Sequence, residues 1–195
     1  MHGLINRSIQ CFLRDTWGQS LWLSVARDVR LGSDGFEAML VYDPALTEAV
    51  IDAAAMRLNR PRDSLLEDLG TYLVSHPTLE PVRRLLRFGG TDFVDFLHSL
   101  EDLPERGRLA VPDLDLPALA LVDGGDGRFT LTLRSQLKGT GHIAVGLLRA
   151  MADDYGALVL LDMPDPQGDA DCVTIHLLDT RFAAGRRFDL GVRTG

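Results

Sequence analysis

The sequence has 195 residues, a length typical of one large domain or of one domain with two lobes. Its formal net charge of −8 argues against nucleic acid as the main partner, because phosphate binding requires a basic surface. No apolar run reaches the roughly 20 residues of a membrane span and the start does not resemble a signal peptide, so we expect a cytoplasmic protein. Cys11 and Cys172 have no metal-ligand spacing, which favours two free thiols over a disulfide.

The first half of the chain has the apolar spacing of helices. Asp43-Pro44 is typical of a helix start, with the aspartate as cap and the proline in the first turn, and Asn59-Arg60-Pro61 repeats this device. Three arginines at helical spacing, Arg83, Arg84 and Arg87, favour a solvated helix face over a docking patch. The predicted helices cover residues 2–16, a short segment around 22–29, 45–58, about 61–74, 79–87 and 91–103, the last of them capped by Thr91.

The second half has the pattern of strands. Residues 116–122 and 129–133 flank Gly124-Gly125-Asp126-Gly127, which is typical of a β-hairpin. A helix is predicted over 140–155, and a second strand pair follows it at 157–163 and 172–178, with a further edge strand at 188–190. A helical half followed by an antiparallel sheet that carries one helix is an α+β arrangement.

Common catalytic and nucleotide-binding motifs are missing from the sequence, which contains no GxGxxG, P-loop, HExxH or GxSxG pattern. The 28 acidic residues offer many carboxylate pairs, but none stands out. The histidines never pair at i, i+3 or i, i+4, so no helical metal site is predicted. They are His2, His76, His98, His142 and His176. The residues by themselves indicate a soluble α+β domain that is not an enzyme.

Several short motifs nevertheless occur in an order that resembles one family. Five of these motifs occur in this chain in the order Met1-His2-Gly3-Leu4-Ile5-Asn6, Thr16-Trp17-Gly18, Tyr42-Asp43, Gly70-Thr71-Tyr72-Leu73 and Phe96-Leu97. In this order they resemble the motifs of heme–nitric-oxide-binding (H-NOX) domains. The resemblance covers nearly the whole chain. It implies a single domain over 1–195, with a distal helical lobe at 1–60 and a proximal lobe of helix and sheet at 61–195.

The resemblance also implies a function. Family members are not enzymes, and they sense nitric oxide or oxygen through heme and regulate a partner by a shift of the lobes. Stand-alone bacterial members are associated with histidine kinases or cyclic-diguanylate enzymes, so a signalling protein of this kind is the expected partner.

The heme ligand of the family is replaced in this chain. The ligating histidine lies seven residues beyond the leucine of Phe96-Leu97, where this chain has Pro104. A helical wheel places position 104 in the same sector, about 120° wide, as the apolar residues Phe93 to Leu103, so it faces inward. Proline offers iron no lone-pair nitrogen and is expected to end or kink the helix. His98 lies about 120° from this stripe and is expected at the surface.

A second hallmark of the family, the Tyr-x-Ser-x-Arg motif that holds the heme propionates, aligns with Leu133, Ser135 and Leu137. Only the serine is kept. The missing tyrosine and arginine remove a hydroxyl donor and a charge-assisted contact to a carboxylate. Burying the propionates without partners would cost several kcal/mol, so no cofactor and no metal are expected.

His142 completes the set of pocket positions that the resemblance implies. It falls where some members place a polar residue on the distal, gas-facing side, and it could ligate iron there or hydrogen-bond another ligand. The alternative is a capping or partly exposed histidine in the first turn of the 140–155 helix. Three functions stay open: a regulatory domain that has lost heme and acts through a partner or an apolar ligand, a heme- or tetrapyrrole-binding nitric oxide sensor that uses His142, and a carrier of a small hydrophobic molecule.

Overall fold

The computed structural model describes residues 1–32, 35–164 and 168–186. The helices are α1 Gly3–Trp17, α2 Gln19–Asp28, α3 Pro44–Leu58, α4 Arg62–Ser75, α5 Glu80–Arg87, α6 Phe93–His98, α7 Leu103–Ala110 and α8 Thr140–Tyr155, with 3₁₀ turns at Pro77–Leu79 and Ser99–Asp102. The strands are β1 Ala118–Asp123, β2 Arg128–Arg134, β3 Leu158–Asp162 and β4 Asp171–Asp179. The predicted α+β class, a helical half followed by an antiparallel sheet with one long helix, is confirmed. Within the described ranges no helix is both long and apolar enough to cross a membrane.

The start of α3 follows the local sequence. Asp43 Oδ1 accepts a hydrogen bond from the Ala45 backbone N–H at 2.9 Å, and Pro44 occupies the first turn. The parallel prediction for Asn59 as a helix start is wrong. Asn59 ends α3 in the left-handed region at φ 49°, a conformation that asparagine tolerates, and α4 begins at Arg62 without a side-chain cap.

The helix that carries Pro104 differs from its prediction. Asp92, rather than Thr91, caps α6, since its carboxylate accepts from the Asp95 N–H at 2.9 Å. Regular helix then gives way to the 3₁₀ turn at Ser99–Asp102 before α7 starts. Pro104 lies in the first turn of α7, where a missing N–H leaves no helical bond unmade. The helical stretch therefore ends close to the expected position, and the proline lies at the start of a further helix that the sequence pattern did not predict.

The four strands form one antiparallel sheet in the order β1-β2-β4-β3. The hairpin predicted between β1 and β2 is present, and Gly125, Asp126 and Gly127 all have positive φ in its turn. Alternate residues of β2 point into the protein, so Phe129, Leu131 and Leu133 are buried on one face. The predicted edge strand at 188–190 lies outside the described residues.

Two hydrophobic cores organise the molecule. The N-terminal core consists of side chains from α1, α2, α3 and α4, together with Phe36 and Leu137. The C-terminal core lies between α6, α8 and the inner face of the sheet. The sequence-based division at residues 60 and 61 stays a prediction, and side chains of α4 contribute to the N-terminal core.

Helices α4 and α8 join the two cores in a contact that we call the α4–α8 seam. Their backbones touch because both contribute glycine there. A Cβ atom on Gly70 would lie 2.0 Å from the Ile143 carbonyl oxygen, and one on Gly146 would lie 1.9 Å from that of Glu67. Any larger residue at either glycine would force the helices apart, so the seam is a tight contact with a defined register.

The expectation of a solvated arginine face on α5 is wrong for two of its three residues. Arg83 is 8% exposed, and its Nη2 donates to Asp154 Oδ1 on α8 at 2.7 Å. The Arg87 guanidinium lies 3.8 Å from the ring centre of Tyr155 and 3.7 Å from Asp154. Burial raises the pKa of Tyr155 to about 12. These contacts hold α5 against the end of α8. The helical spacing of the three arginines did not reveal Asp154 as their acidic partner.

Candidate functional site

Pro104 is the residue that the sequence resemblance aligns with the iron ligand of the H-NOX family. The side chain is buried, and it continues the inward-facing stripe of Leu97 and Leu100, which are 0% and 3% exposed. Arg106 fixes the start of α7, because its Nη2 donates to the Ser99 carbonyl oxygen at 2.7 Å. A pyrrolidine ring therefore faces the interior here, and this ring has no atom able to coordinate a metal ion.

The three positions that the resemblance aligns with the propionate motif lie in different surroundings. Leu133 is 4% exposed and belongs to the C-terminal core, whereas Leu137 is 7% exposed and belongs to the N-terminal core. Ser135 is exposed, and its hydroxyl oxygen accepts from the Leu137 N–H at 3.1 Å. The structure thus joins Ser135 to Leu137 through a local turn, and it places one of the two leucines in each core.

The loop from Ser135 to Gly139 is held by groups of the protein itself. The Lys138 N–H donates to Glu48 on α3 at 2.8 Å, and the Thr140 hydroxyl donates to the Leu137 carbonyl at 2.6 Å. Asp171, at the start of β4, accepts from the Gly141 N–H at 2.7 Å. A carboxylate of the chain therefore already occupies the positive N-terminal end of α8, where an anionic ligand would otherwise be favoured.

His142 lies in the first turn of α8 on the α4–α8 seam, and its side chain is 23% exposed. Its Nε2 is 3.5 Å from Asp63 Oδ1, and its Nδ1 is 3.5 Å from Glu67 Oε1. Nδ1 is buried and has no hydrogen-bond partner. Both ring nitrogens thus face carboxylates of α4. Sequence reasoning missed these two acidic neighbours, because nothing in the local pattern connects residues 63 and 67 with residue 142.

Two of the other four histidines have roles in the fold. His2 caps α1 by accepting from the Leu4 N–H at 3.2 Å. His76 packs on Tyr72, with ring centres 4.6 Å apart. His98 is exposed, as the helical wheel predicts, and lies 3.5 Å from Asp123, while His176 is half-buried on β4. Over the part of the chain that the structure describes, no three His, Cys, Asp or Glu side chains are arranged to hold a metal ion.

A small cavity lies in the N-terminal core between α1, α3 and α4. Its volume is about 10 Å³, and its walls are apolar side chains such as Ile9, Phe12 and Leu66. This space is about that of one water molecule, and the walls offer water no hydrogen bond. This part of the core is therefore closely packed.

Comparison with known proteins identifies the family. Residues 2–161 match the haem-NO-binding family, HNOB. The chain belongs to this family. It is 26% identical over 170 residues to soluble guanylate cyclase gcy-31 of Caenorhabditis elegans, a match that covers 87% of this chain and 24% of the relative. It is 20% identical over 158 residues to soluble guanylate cyclase 89Da of Drosophila melanogaster, covering 81% and 24%.

Solved H-NOX structures share the fold. An H-NOX protein from S. oneidensis in the Fe(II) ligation state superposes with a TM-score of 0.79 at 17% identity, over 93% of this chain and 98% of that one. The Fe(II) unliganded H-NOX protein from K. algicida superposes with a TM-score of 0.75 at 15% identity, over 99% and 100%. H-NOX domains are sensor domains, and this chain spans about a quarter of the length of the cyclases it matches, 24% in both cases.

Proposed function

We propose that this chain is a regulatory H-NOX domain that does not hold heme in the manner of its family and acts through contact with a signalling protein. The observation that carries the proposal is the chemistry at three positions. Pro104 has no ligand atom for iron, and Leu133 and Leu137 have no donor or charge for a propionate. The family's heme needs both functions, an axial ligand and polar partners for its carboxylates. The residues of this chain therefore do not fit the group.

The packing around these positions favours the interpretation that they form part of an apolar core, and it disfavours the interpretation that they line an empty pocket. Leu133 and Leu137 are each more than nine-tenths buried, and each belongs to one of the two cores. Burial of a leucine contributes roughly 1.5–3 kcal/mol to folding, so the two replacements favour stability of the domain without a ligand. This packing favours regulation by protein contact over carriage of a small hydrophobic molecule.

The partner that we propose is an enzyme of signalling, either a histidine kinase or an enzyme of cyclic-diguanylate metabolism. The family relationship supports this class, and the matched relatives are themselves named as cyclases. Addition of this chain should change the activity of such a partner to the same extent with and without nitric oxide. A response that requires both heme and nitric oxide would contradict the proposal.

Titration of the purified chain with hemin tests the loss of heme binding. We expect no Soret band with the stoichiometry of one heme per chain. The matched variant is Pro104→His, which returns an imidazole to the first turn of α7, where a backbone N–H is tolerated. A second variant adds Leu133→Tyr and Leu137→Arg to restore the propionate partners. Circular dichroism spectra establish that each variant is folded.

The outcomes of the titration separate the alternatives. A gain of stoichiometric hemin binding in the variants, with none in the parent chain, supports the proposal. Stoichiometric binding by the parent chain would overturn it. If His142→Ala then abolished that binding, His142 would be the ligand, as the second interpretation of the sequence predicts. Unchanged affinity would exclude His142.

A further inference from the structure

The sheet has a second face, opposite the C-terminal core, that we call the outer face. Because Phe129, Leu131 and Leu133 of β2 point into the core, the residues that alternate with them point outward. The strand register places further outward positions beside them. Most of the side chains at the centre of this face are small or apolar. The outer face consists of Ala118, Ala120 and Val122 of β1, Thr130 and Thr132 of β2, Leu160 of β3, and Cys172, Thr174 and His176 of β4.

This composition is unusual for a sheet face in contact with water. The solvated face of an antiparallel sheet normally carries polar and charged side chains, and charged residues make up 25% of this chain. Val122 and Leu160 are nevertheless 61% and 59% exposed. Four strands at about 4.8 Å spacing give the face a width of about 19 Å. A contiguous exposed surface of this size and character marks a site of interaction.

Charged side chains lie at the margins of the outer face. Arg128 and Arg134 occupy the two ends of β2, and both are exposed. Neither arginine pairs with a carboxylate of the described residues, in contrast to Arg57, which is paired with Asp28. Asp162 adds one acid on β3, two strands away from β2. The two arginines outnumber this acid, although the chain as a whole has a net charge of −8.

The distance between the two arginines fits the length of a helix. Arg128 and Arg134 are six positions apart on β2, which corresponds to about 20 Å along an extended strand. In an α-helix the same distance corresponds to about four turns, or 14 residues. Two carboxylates separated by four turns lie on the same side of their helix, so each could meet one arginine. Apolar side chains between them would pack on the small residues of β1 and β2.

Two other occupants fit this charge pattern less well. A second copy of the chain, stacked face to face, would bring four arginines together with only two aspartates, because each copy contributes Arg128, Arg134 and Asp162. An anionic membrane surface attracts clusters of about four to eight basic residues, whereas this margin has two arginines on a chain of net charge −8. Charge complementarity therefore favours an acidic protein segment.

We propose that the outer face is the docking surface for an amphipathic helix of the signalling partner, with an apolar stripe against β1, β2 and β4 and two carboxylates, four turns apart, that pair with Arg128 and Arg134. A sheet face is covered in proteins by helices or by another sheet, and α6 and α8 already cover the inner face. The inference rests on the proposed function in one respect, that the domain acts by protein contact. It adds the surface and the chemistry of the partner.

Two synthetic peptides of equal composition are the probes. Both are amphipathic helices of about 18 residues, made of alanine, leucine and glutamine with two glutamates on the side of the leucine stripe. The glutamates are about 14 positions apart in the first peptide and about seven apart in the second, which halves their distance. Fluorescence anisotropy at low ionic strength measures the affinity of each for the full chain. We expect the first peptide to bind about 2- to 5-fold more tightly, because it alone reaches both arginines.

Three variants of the chain assign the binding to the outer face. The double variant Arg128→Gln/Arg134→Gln should remove the preference for the first peptide. Ala120→Glu places a carboxylate on the apolar centre and should weaken both peptides by at least about 10-fold. Arg108→Gln is the matched control, because Arg108 is also exposed but lies on α7, away from the sheet, and it should change neither affinity. Circular dichroism spectra establish that each variant is folded, and the comparison of the two peptides needs no variant.

The possible results are distinct. Loss of the preference in the double variant, with its retention in Arg108→Gln, supports the proposal. Equal affinity of the parent chain for the two peptides, or no binding of either, overturns it. A dimer in sedimentation equilibrium that Ala120→Glu dissociates would assign the face to a second copy, and binding to phosphatidylserine vesicles that the double variant abolishes would assign it to a membrane; each result also overturns the proposal. Stoichiometric hemin binding would contradict the proposed function and would leave the peptide measurements unaffected.

Discussion

Two buried regions of this domain differ in their side chains, which are paired charges in one region and apolar groups in the other. At the contact between α5 and α8, the buried Asp154 is matched by Arg83 and Arg87, so a charge in the interior has its full complement. At the positions that the sequence resemblance aligns with a heme site, the chain has Pro104, Leu133 and Leu137, and all three are buried. A buried charge without a partner is costly, whereas an apolar side chain is stable without one. The first region therefore needs its partners, and the second needs none.

The largest expected effect concerns the charged region. Asp154→Ala removes the closest carboxylate from the buried Arg83, and we expect the free energy of unfolding to fall by about 3 kcal/mol. Denaturant unfolding measures the change. The matched control is Asp28→Ala, because Asp28 pairs with Arg57 where both side chains are about 40% exposed, so that solvent screens the pair and its loss should matter much less. Equal effects of the two variants would show that the Asp154 network is not a buried one.

The apolar region should respond to lost volume. Leu133→Ala and Leu137→Ala each remove packed methyl groups, and we expect each to lower the free energy of unfolding by about 2–3 kcal/mol. Leu160→Ala is the control, since Leu160 is 59% exposed on β3. A loss below about 0.5 kcal/mol for both buried leucines would mean that they line open space, and it would favour a ligand pocket.

Pro104 offers a test with a defined sign. Proline in the first turn of a helix limits the unfolded chain, so Pro104→Ala should lower the free energy of unfolding by about 0.4–1 kcal/mol. Proline inside a helix would be destabilising by about 3 kcal/mol, and its replacement would then raise stability. Pro81→Ala is the matched control, since Pro81 also lies in a first turn, that of α5. Thermal or denaturant unfolding distinguishes the two signs.

The last effect is confined to high pH. Burial raises the pKa of Tyr155 from 10.0 to about 12, so the folded chain holds this phenolic proton more tightly than the unfolded chain does. The stabilisation that accompanies it is complete below pH 10 and is lost as the pH rises toward 12. Tyrosinate absorbance of the parent chain and of Tyr155→Phe measures it. Titration of Tyr155 near pH 10 would show that its ring is not buried under Arg87.

Short stretches of the sequence determine many local features of this fold. The start of α3 depends on Asp43 and Pro44 alone, and the β1–β2 turn depends on three consecutive residues with positive φ. The inward direction of Pro104 follows from the stripe of apolar residues before it. Such features are predictable because a cap, a turn or a helical face is determined by neighbours within a few positions.

Other features became visible only in three dimensions. Arg83 and Asp154 are 71 positions apart, and helical spacing on α5 alone favoured a solvated face. Asp63 and Glu67 reach His142 only because Gly70 and Gly146 let α4 and α8 touch. The sequence by itself predicted the α+β class, most of the helices and strands and the family, and it aligned Pro104, Leu133 and Leu137 with heme positions. Tertiary packing decided which charges meet, because an ion pair depends on distance in space and carries no signature in the residues beside it.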